Sequence, residues 1–240
     1  MSPIRFDTTD VPRPHLHVRV LVDGEFFSER GGPRGAVILL HGRGASAEDI
    51  VSIVPSLDQR DLLFIAPNAN GSTWYPQSFL APLALNQPHV ESAHALIETI
   101  IRQLGTAGVT PERIALLGFS QGACLASDHA YRHPRRYGAI IALTGGLIGP
   151  PGERFDPVDE GRLAGTPVFL GANDPDPHVP WTRVEETAAV LQRLGGQIEL
   201  RRYPNRPHAV LMEEIEAVRP LLAAIGASNT SAPGMGGASD

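Results

Sequence analysis

The sequence contains no lysine; all 20 of its basic side chains are arginine. A Walker-type phosphate loop needs a lysine behind its glycines, so the glycines at 42 and 44 must serve another purpose. Cysteine occurs once, at Cys124, which rules out an intramolecular disulfide. No basic run exceeds two residues and the formal net charge is −6, which argues against a nucleic-acid partner. No stretch approaches the roughly 18–20 apolar residues of a membrane span. The opening MSPIRFDTTD lacks the charged and then apolar run of a signal peptide. A soluble, cytoplasmic protein is the expectation.

Glycine (25) and proline (22) are plentiful, which points to many turns rather than a helical bundle. Apolar residues make up 42% of 240 positions, enough for the core of one large domain. Residues 1–14 read as an N-terminal extension, 15–227 as a single domain, and the small, polar 228–240 as a disordered tail.

Within the domain, short apolar runs alternate with helical patterns. HLHVRVLV (15–22) alternates with period 2 and predicts a half-exposed strand. The runs at 36–40, 62–66, 114–119, 139–145 and 167–172 are almost continuously apolar, as strands buried on both faces are. QIELRRY (197–203) is more polar and belongs nearer an edge. Helices are predicted over 90–105, 182–196 with Thr182 as cap, and 213–226, where Pro220 should kink or divide the helix. Strand–helix alternation of this kind implies a mostly parallel, doubly wound α/β sheet with helices on both faces. Function in such sheets gathers at the carboxyl ends of the strands. The stretch 67–89 is long, yet rich in aromatic and apolar residues, which disfavours disorder.

At one strand end the chain reads Gly118-Phe119-Ser120-Gln121-Gly122, followed by a helical pattern. This is the context of a nucleophile elbow: a tight turn lifts the serine hydroxyl clear of the backbone, and glycines flank it because larger side chains would collide. A serine needs a base within hydrogen-bond reach. In this arrangement the acid follows in the chain, then the histidine. The run at 167–172 exits into Asn173-Asp174-Pro175-Asp176-Pro177-His178, where Asp174 and Asp176 compete for the acid's role. QIELRRY exits toward His208, the only one of nine histidines beyond the loop that leaves the acid strand. His15 and His17 fall on the first predicted strand, and His94, His129 and His133 on helices or their ends. His178 stands too close to Asp176 in the chain to serve as its partner. No metal-ligand spacing is evident among the histidines. Oxyanion donors are expected from the backbone N–H groups of Arg43, after the second strand, and Gln121, after the serine; glycines at 42 and 44 let that loop approach a substrate. His41 reads as a brace for this loop. Trp74, Tyr75 and Phe79 are candidates for the substrate pocket, or for packing the 67–89 loop onto the sheet. Cys124 reads as a core thiol.

Together HGRG, GFSQGA, DPHVP and a histidine before the last helix resemble the phospholipase/carboxylesterase family of α/β-hydrolases, over about residues 16–226. The resemblance implies that Asp176, which opens D-P-x-V-P, is the acid, with Ser120 as nucleophile and His208 as base. It implies a compact hydrolase without a large cap domain, often dimeric, working on a small-molecule ester without a cofactor. Asn205-Arg206-Pro207 departs from the family's Gly-rich approach to its histidine. The segment STWYPQSFLAPLAL is closer to the bacterial esterases than to the protein thioesterases. The expected activity is therefore that of a carboxylesterase for short- to medium-chain esters. Thioesterase, lysophospholipase or amidase action would use the same residues, and a non-catalytic binding protein is the contrasting reading.

Overall fold

A computed structural model describes residues 6–23, 33–156 and 162–227. Seven strands form one sheet: β1 (Val20–Asp23), β2 (Gly35–Leu40), β3 (Leu62–Pro67), β4 (Ile114–Phe119), β5 (Ala139–Leu143), β6 (Pro167–Asp174) and β7 (Gln197–Pro204). Their spatial order is β1-β3-β2-β4-β5-β6-β7. Only β1 is antiparallel to its neighbour. The helices are α1 (Ala47–Val51), α2 (Val54–Leu57), α3 (His89–Thr106), α4 (Gln121–Arg132), α5 (Trp181–Arg193) and α6 (Met212–Ala223). This is the expected α/β-hydrolase sheet, and the described residues include no large cap domain.

The apolar runs are continuous because both faces of the sheet are covered. In β2, Ala36, Ile38 and Leu40 join the core that holds Leu96, Ile97 and Ile100 of α3. Val37 and Leu39 join a second core with Ile215, Val218 and Leu222 of α6. Each fully buried Leu or Ile contributes about 1.5–3 kcal/mol relative to exposure. β7, at the edge, is exposed or half-buried at every position, as its polar sequence suggests.

Three local expectations differ from the structure. The predicted strand 15–22 pairs only from Val20. Upstream, the buried His15 ring binds the Trp74 carbonyl and accepts from the Asn70 amide, which holds this segment off the sheet. Helix α5 starts at Trp181 behind Pro180, so Thr182 is not its cap. Helix α6 runs past Pro220 undivided. The carbonyl left without its helical partner belongs to Glu216, which is exposed and can bond water instead.

Residues 6–14 of the expected extension lie along α3. Val11 is buried, and the Asp7 amide donates to Gln103 Oε1 at 2.9 Å. The expected tail at 228–240 lies outside the described residues. Among the described residues no helix is long and apolar enough to cross a membrane.

Candidate active site

From β2 the chain goes first to β3 on one side, and later to β4 on the other. The loops leaving β2 and β4 therefore open a crevice at the carboxyl edge of the sheet, where ligands bind in open α/β folds. One loop carries His41–Gly44, the other Ser120.

Ser120 has φ 54° and ψ −116°, a conformation that L-residues rarely adopt. Its neighbours make the turn possible. A Cβ at Gly118 would come within 2.2 Å of the Gly122 carbonyl oxygen, and one at Gly122 within 2.0 Å of the Leu40 carbonyl oxygen. The Ser120 amide donates to the Leu143 carbonyl at 3.0 Å, tying the elbow to β5.

His208 Nε2 lies 2.9 Å from Ser120 Oγ, across 88 residues of chain. Its Nδ1 lies 2.8 Å from Asp176 Oδ2. The Asp176 side chain is fully buried, and its Oδ1 accepts from the His178 and Val179 amides at 2.8 and 2.9 Å. Burial alone would raise the Asp176 pKa; the bonds from His208 and the two amides outweigh it and hold the carboxyl below its ordinary value. Asp174 points elsewhere and pairs with Arg202. Asn173 Nδ2 donates to the Pro207 carbonyl at 2.6 Å, joining the acid loop to the histidine loop. Asn205-Arg206-Pro207 thus turns the chain by other means than glycine: Asn205 takes a positive φ of 56°, and its amide donates to the Asp174 carbonyl. A hydroxyl bonded to an imidazole that is itself held by a carboxylate can lose its proton as it attacks a carbonyl carbon.

Arg43 and Gln121 both line the same cleft. Their backbone amides donate to no acceptor among the described residues. Gln121 opens α4, where helix N–H groups are free and the dipole favours an anion. Both side chains also hold the 73–80 loop, a role that sequence reasoning missed. Gln121 Oε1 accepts from the Trp74 amide at 2.9 Å and its Nε2 donates to the Tyr75 carbonyl at 2.8 Å. The Arg43 guanidinium donates to the Pro76 and Gln77 carbonyls. His41 is a brace, as expected. Its Nδ1 donates to the Gly42 carbonyl and its Nε2 accepts from the Ala69 amide; burial lowers its pKa, which keeps the ring neutral.

The cleft has a volume of about 760 Å³ and is walled partly by Tyr75, Phe79 and Leu80. Trp74 corrects the expected pocket: it is fully buried and is not among the lining residues. Its indole N–H donates to the His41 carbonyl, and its ring packs between His15 and His41. An indole can bury a large surface only where its N–H finds an acceptor, and here the acceptor lies behind the loop. Cys124 is buried, which pushes its thiol up to about 12.

The apparent scatter of histidines is a second correction. His94, His129 and His133 converge, with ring nitrogens within 4.8 Å of one another. The four-residue step from His129 to His133 was the one visible signal; His94, from another helix, gave none.

Residues 25–225 match the phospholipase/carboxylesterase family. The chain belongs to that family. Among solved structures it is similar to a phospholipase/carboxylesterase from Dyadobacter fermentans, at 37% identity and a TM-score of 0.80, covering 86% of this chain and 96% of the other. It is also similar to acyl-protein thioesterase 1 of Kluyveromyces lactis, 25% identical over 202 residues, which are 76% of this chain and 88% of that protein. The match to acyl-protein thioesterase 1 of Gibberella zeae, 29% identical over 135 residues, covers 55% of this chain and spans only 57% of that protein. Membership in the phospholipase/carboxylesterase family makes the elbow serine and its two partners the first residues to test.

Proposed function

We propose that the protein is a serine carboxylesterase acting on short- to medium-chain esters through a Ser120–His208–Asp176 triad. The observation that carries this reading is the unbroken chain of hydrogen bonds from Ser120 Oγ through His208 to Asp176, at 2.9 and 2.8 Å. Ser120 Oγ attacks the ester carbonyl while His208 Nε2 takes its proton. Asp176 fixes the imidazole tautomer and stabilises the charged ring. The Arg43 and Gln121 amides receive the oxyanion, each such donor being worth about 10²–10³ in rate. His208 then protonates the departing alcohol, and water repeats the steps on the acyl-enzyme. The apolar wall of Tyr75, Phe79 and Leu80 suits an acyl chain, and a compact loop with no large lid among the described residues favours short and medium chains.

A serine-directed organophosphonate should label Ser120, and Ser120→Ala should reduce hydrolysis of p-nitrophenyl esters to near background while the protein stays folded. Substantial turnover by Ser120→Ala would remove this assignment. A series from acetate to palmitate should peak at short or medium chains.

The names of the Kluyveromyces and Gibberella relatives favour a second reading, cleavage of a thioester by the same residues. Parallel assays of matched esters and thioesters separate the two. A kcat/KM higher for the thioester would move the proposal to that substrate.

A further inference from the structure

Three histidines outside the cleft meet where α3 packs on α4. His94 comes from α3, His129 from the last turn of α4, and His133 from the residue that ends it. The Nδ1 atoms of His94 and His129 are 3.1 Å apart. His94 Nε2 lies 2.9 Å from Asp128 Oδ2. His129 Nε2 lies 3.0 Å from Glu98 Oε1 without making a regular hydrogen bond to it.

Protons on neutral rings do not satisfy this arrangement. A carboxylate only accepts, so each Nε2 that faces one should carry the proton. The two Nδ1 lone pairs would then oppose each other at 3.1 Å. Shifting the His129 proton to Nδ1 makes an N–H···N bond but turns a lone pair toward Glu98. An added proton on the pair would resolve the conflict by making a buried imidazolium. Burial of the His129 ring opposes such a charge. A metal ion accepting both lone pairs resolves it equally well.

We propose that His94, His129 and His133 bind a first-row divalent cation, zinc by ligand type, with Asp128 and Glu98 orienting the outer nitrogens of His94 and His129. Two nitrogens at about 2.0–2.1 Å from a tetrahedral zinc lie roughly 3.3 Å apart, close to the 3.1 Å between the His94 and His129 Nδ1 atoms; the His133 nitrogen, within 4.8 Å of both, would close in on the ion. Carboxylates on the far ring nitrogens are the usual outer partners of zinc-bound histidine. Both carboxylates pair with arginine: Arg132 Nε lies 2.6 Å from Asp128 Oδ2, and Arg135 donates to Glu98 at 2.8 Å. A cavity of about 580 Å³ lined by His94, His133, Glu91 and Glu98 provides an entry path and a fourth coordination position. The ion would clamp α3 to the far end of the helix that begins beside Ser120, a structural rather than catalytic place.

The test uses untagged, full-length protein stripped with EDTA and titrated with Zn²⁺. One ion per chain should bind, Tm should rise with zinc concentration, and Co²⁺ should give the visible bands of a four-coordinate site. His133→Ala, at a half-buried position expected to fold, should weaken binding by at least about 100-fold; Glu98→Gln should weaken it by about 10–100-fold. Protein blocked at Ser120 by a phosphonate should bind zinc unchanged, which separates this site from the cleft. Absence of saturable binding, or binding equally strong in His133→Ala, overturns the proposal in favour of the protonated pair.

Discussion

Gly122 lies so close to the end of β2 that a Cβ on it would come within 2.0 Å of the Leu40 carbonyl oxygen and 2.7 Å of the His41 carbonyl oxygen. The contact is backbone against backbone, so neither side can yield by changing a rotamer. It also fixes the distance between the Ser120 elbow and the loop that carries Arg43. Gly122→Ala is expected to cost about 3 kcal/mol or more and to impair turnover in whatever folded fraction remains. Urea unfolding with a parallel ester assay measures both; a stable, fully active variant would contradict the contact.

Backbone strain at Ser120 predicts a trade of activity for stability. A non-glycine residue in this region costs on the order of 1–3 kcal/mol. Ser120→Gly should therefore raise Tm while abolishing turnover, whereas Ser120→Ala should abolish turnover without that gain, because alanine has the same Cβ. Equal melting temperatures for the two variants would refute the strain.

The two candidate acids should separate cleanly. Asp176 is buried against His208, while Asp174 pairs with Arg202 on the other side of the loop. Asp176→Asn is expected to lower kcat by roughly 10⁴-fold through the wrong imidazole tautomer. Asp174→Asn should change it by less than about threefold, since exposed pairs contribute little. Similar losses in both would reopen the choice.

Glu214 gives the fold a pH dependence of its own. Burial raises its carboxyl to about 7, against the bond from the Leu211 amide that lowers it, and its Oε1 has no hydrogen-bond partner among the described residues. The folded state therefore holds a proton that the unfolded chain releases near pH 4.5, the group's ordinary value. Its contribution is favourable below that value and is lost as pH rises toward about 7, a change on the order of 3 kcal/mol. Glu214→Gln keeps the acceptor for Leu211 without the titration. Its Tm relative to the wild type should rise between pH 4.5 and 8 and then level off; a constant difference would show that Glu214 does not titrate in this range.

Much of the fold was legible because burial writes itself locally. Runs such as AVILL and LLFIA are apolar at every position since helices cover both sheet faces, and the edge strand QIELRRY is polar since one side meets water. HLHVRVLV misled because alternation does not say what a buried histidine will bond, and His15 bonds the 70–74 loop instead of a strand.

By itself, the sequence determined the positions where backbone geometry demands glycine, at 118 and 122 around Ser120, and, through its motifs, the family. Only the tertiary structure decided which polar groups meet. It set Asp176 against His208 and Asp174 against Arg202, put Trp74 behind the loop instead of in the cleft, gave the Gln121 side chain its structural task, and gathered His94 with His129 and His133. The reason is physical: a hydrogen bond or a coordination site depends on distances of about 2–3 Å. Those are set by how elements far apart in the chain cross, whereas periodicity and turn chemistry depend only on neighbours.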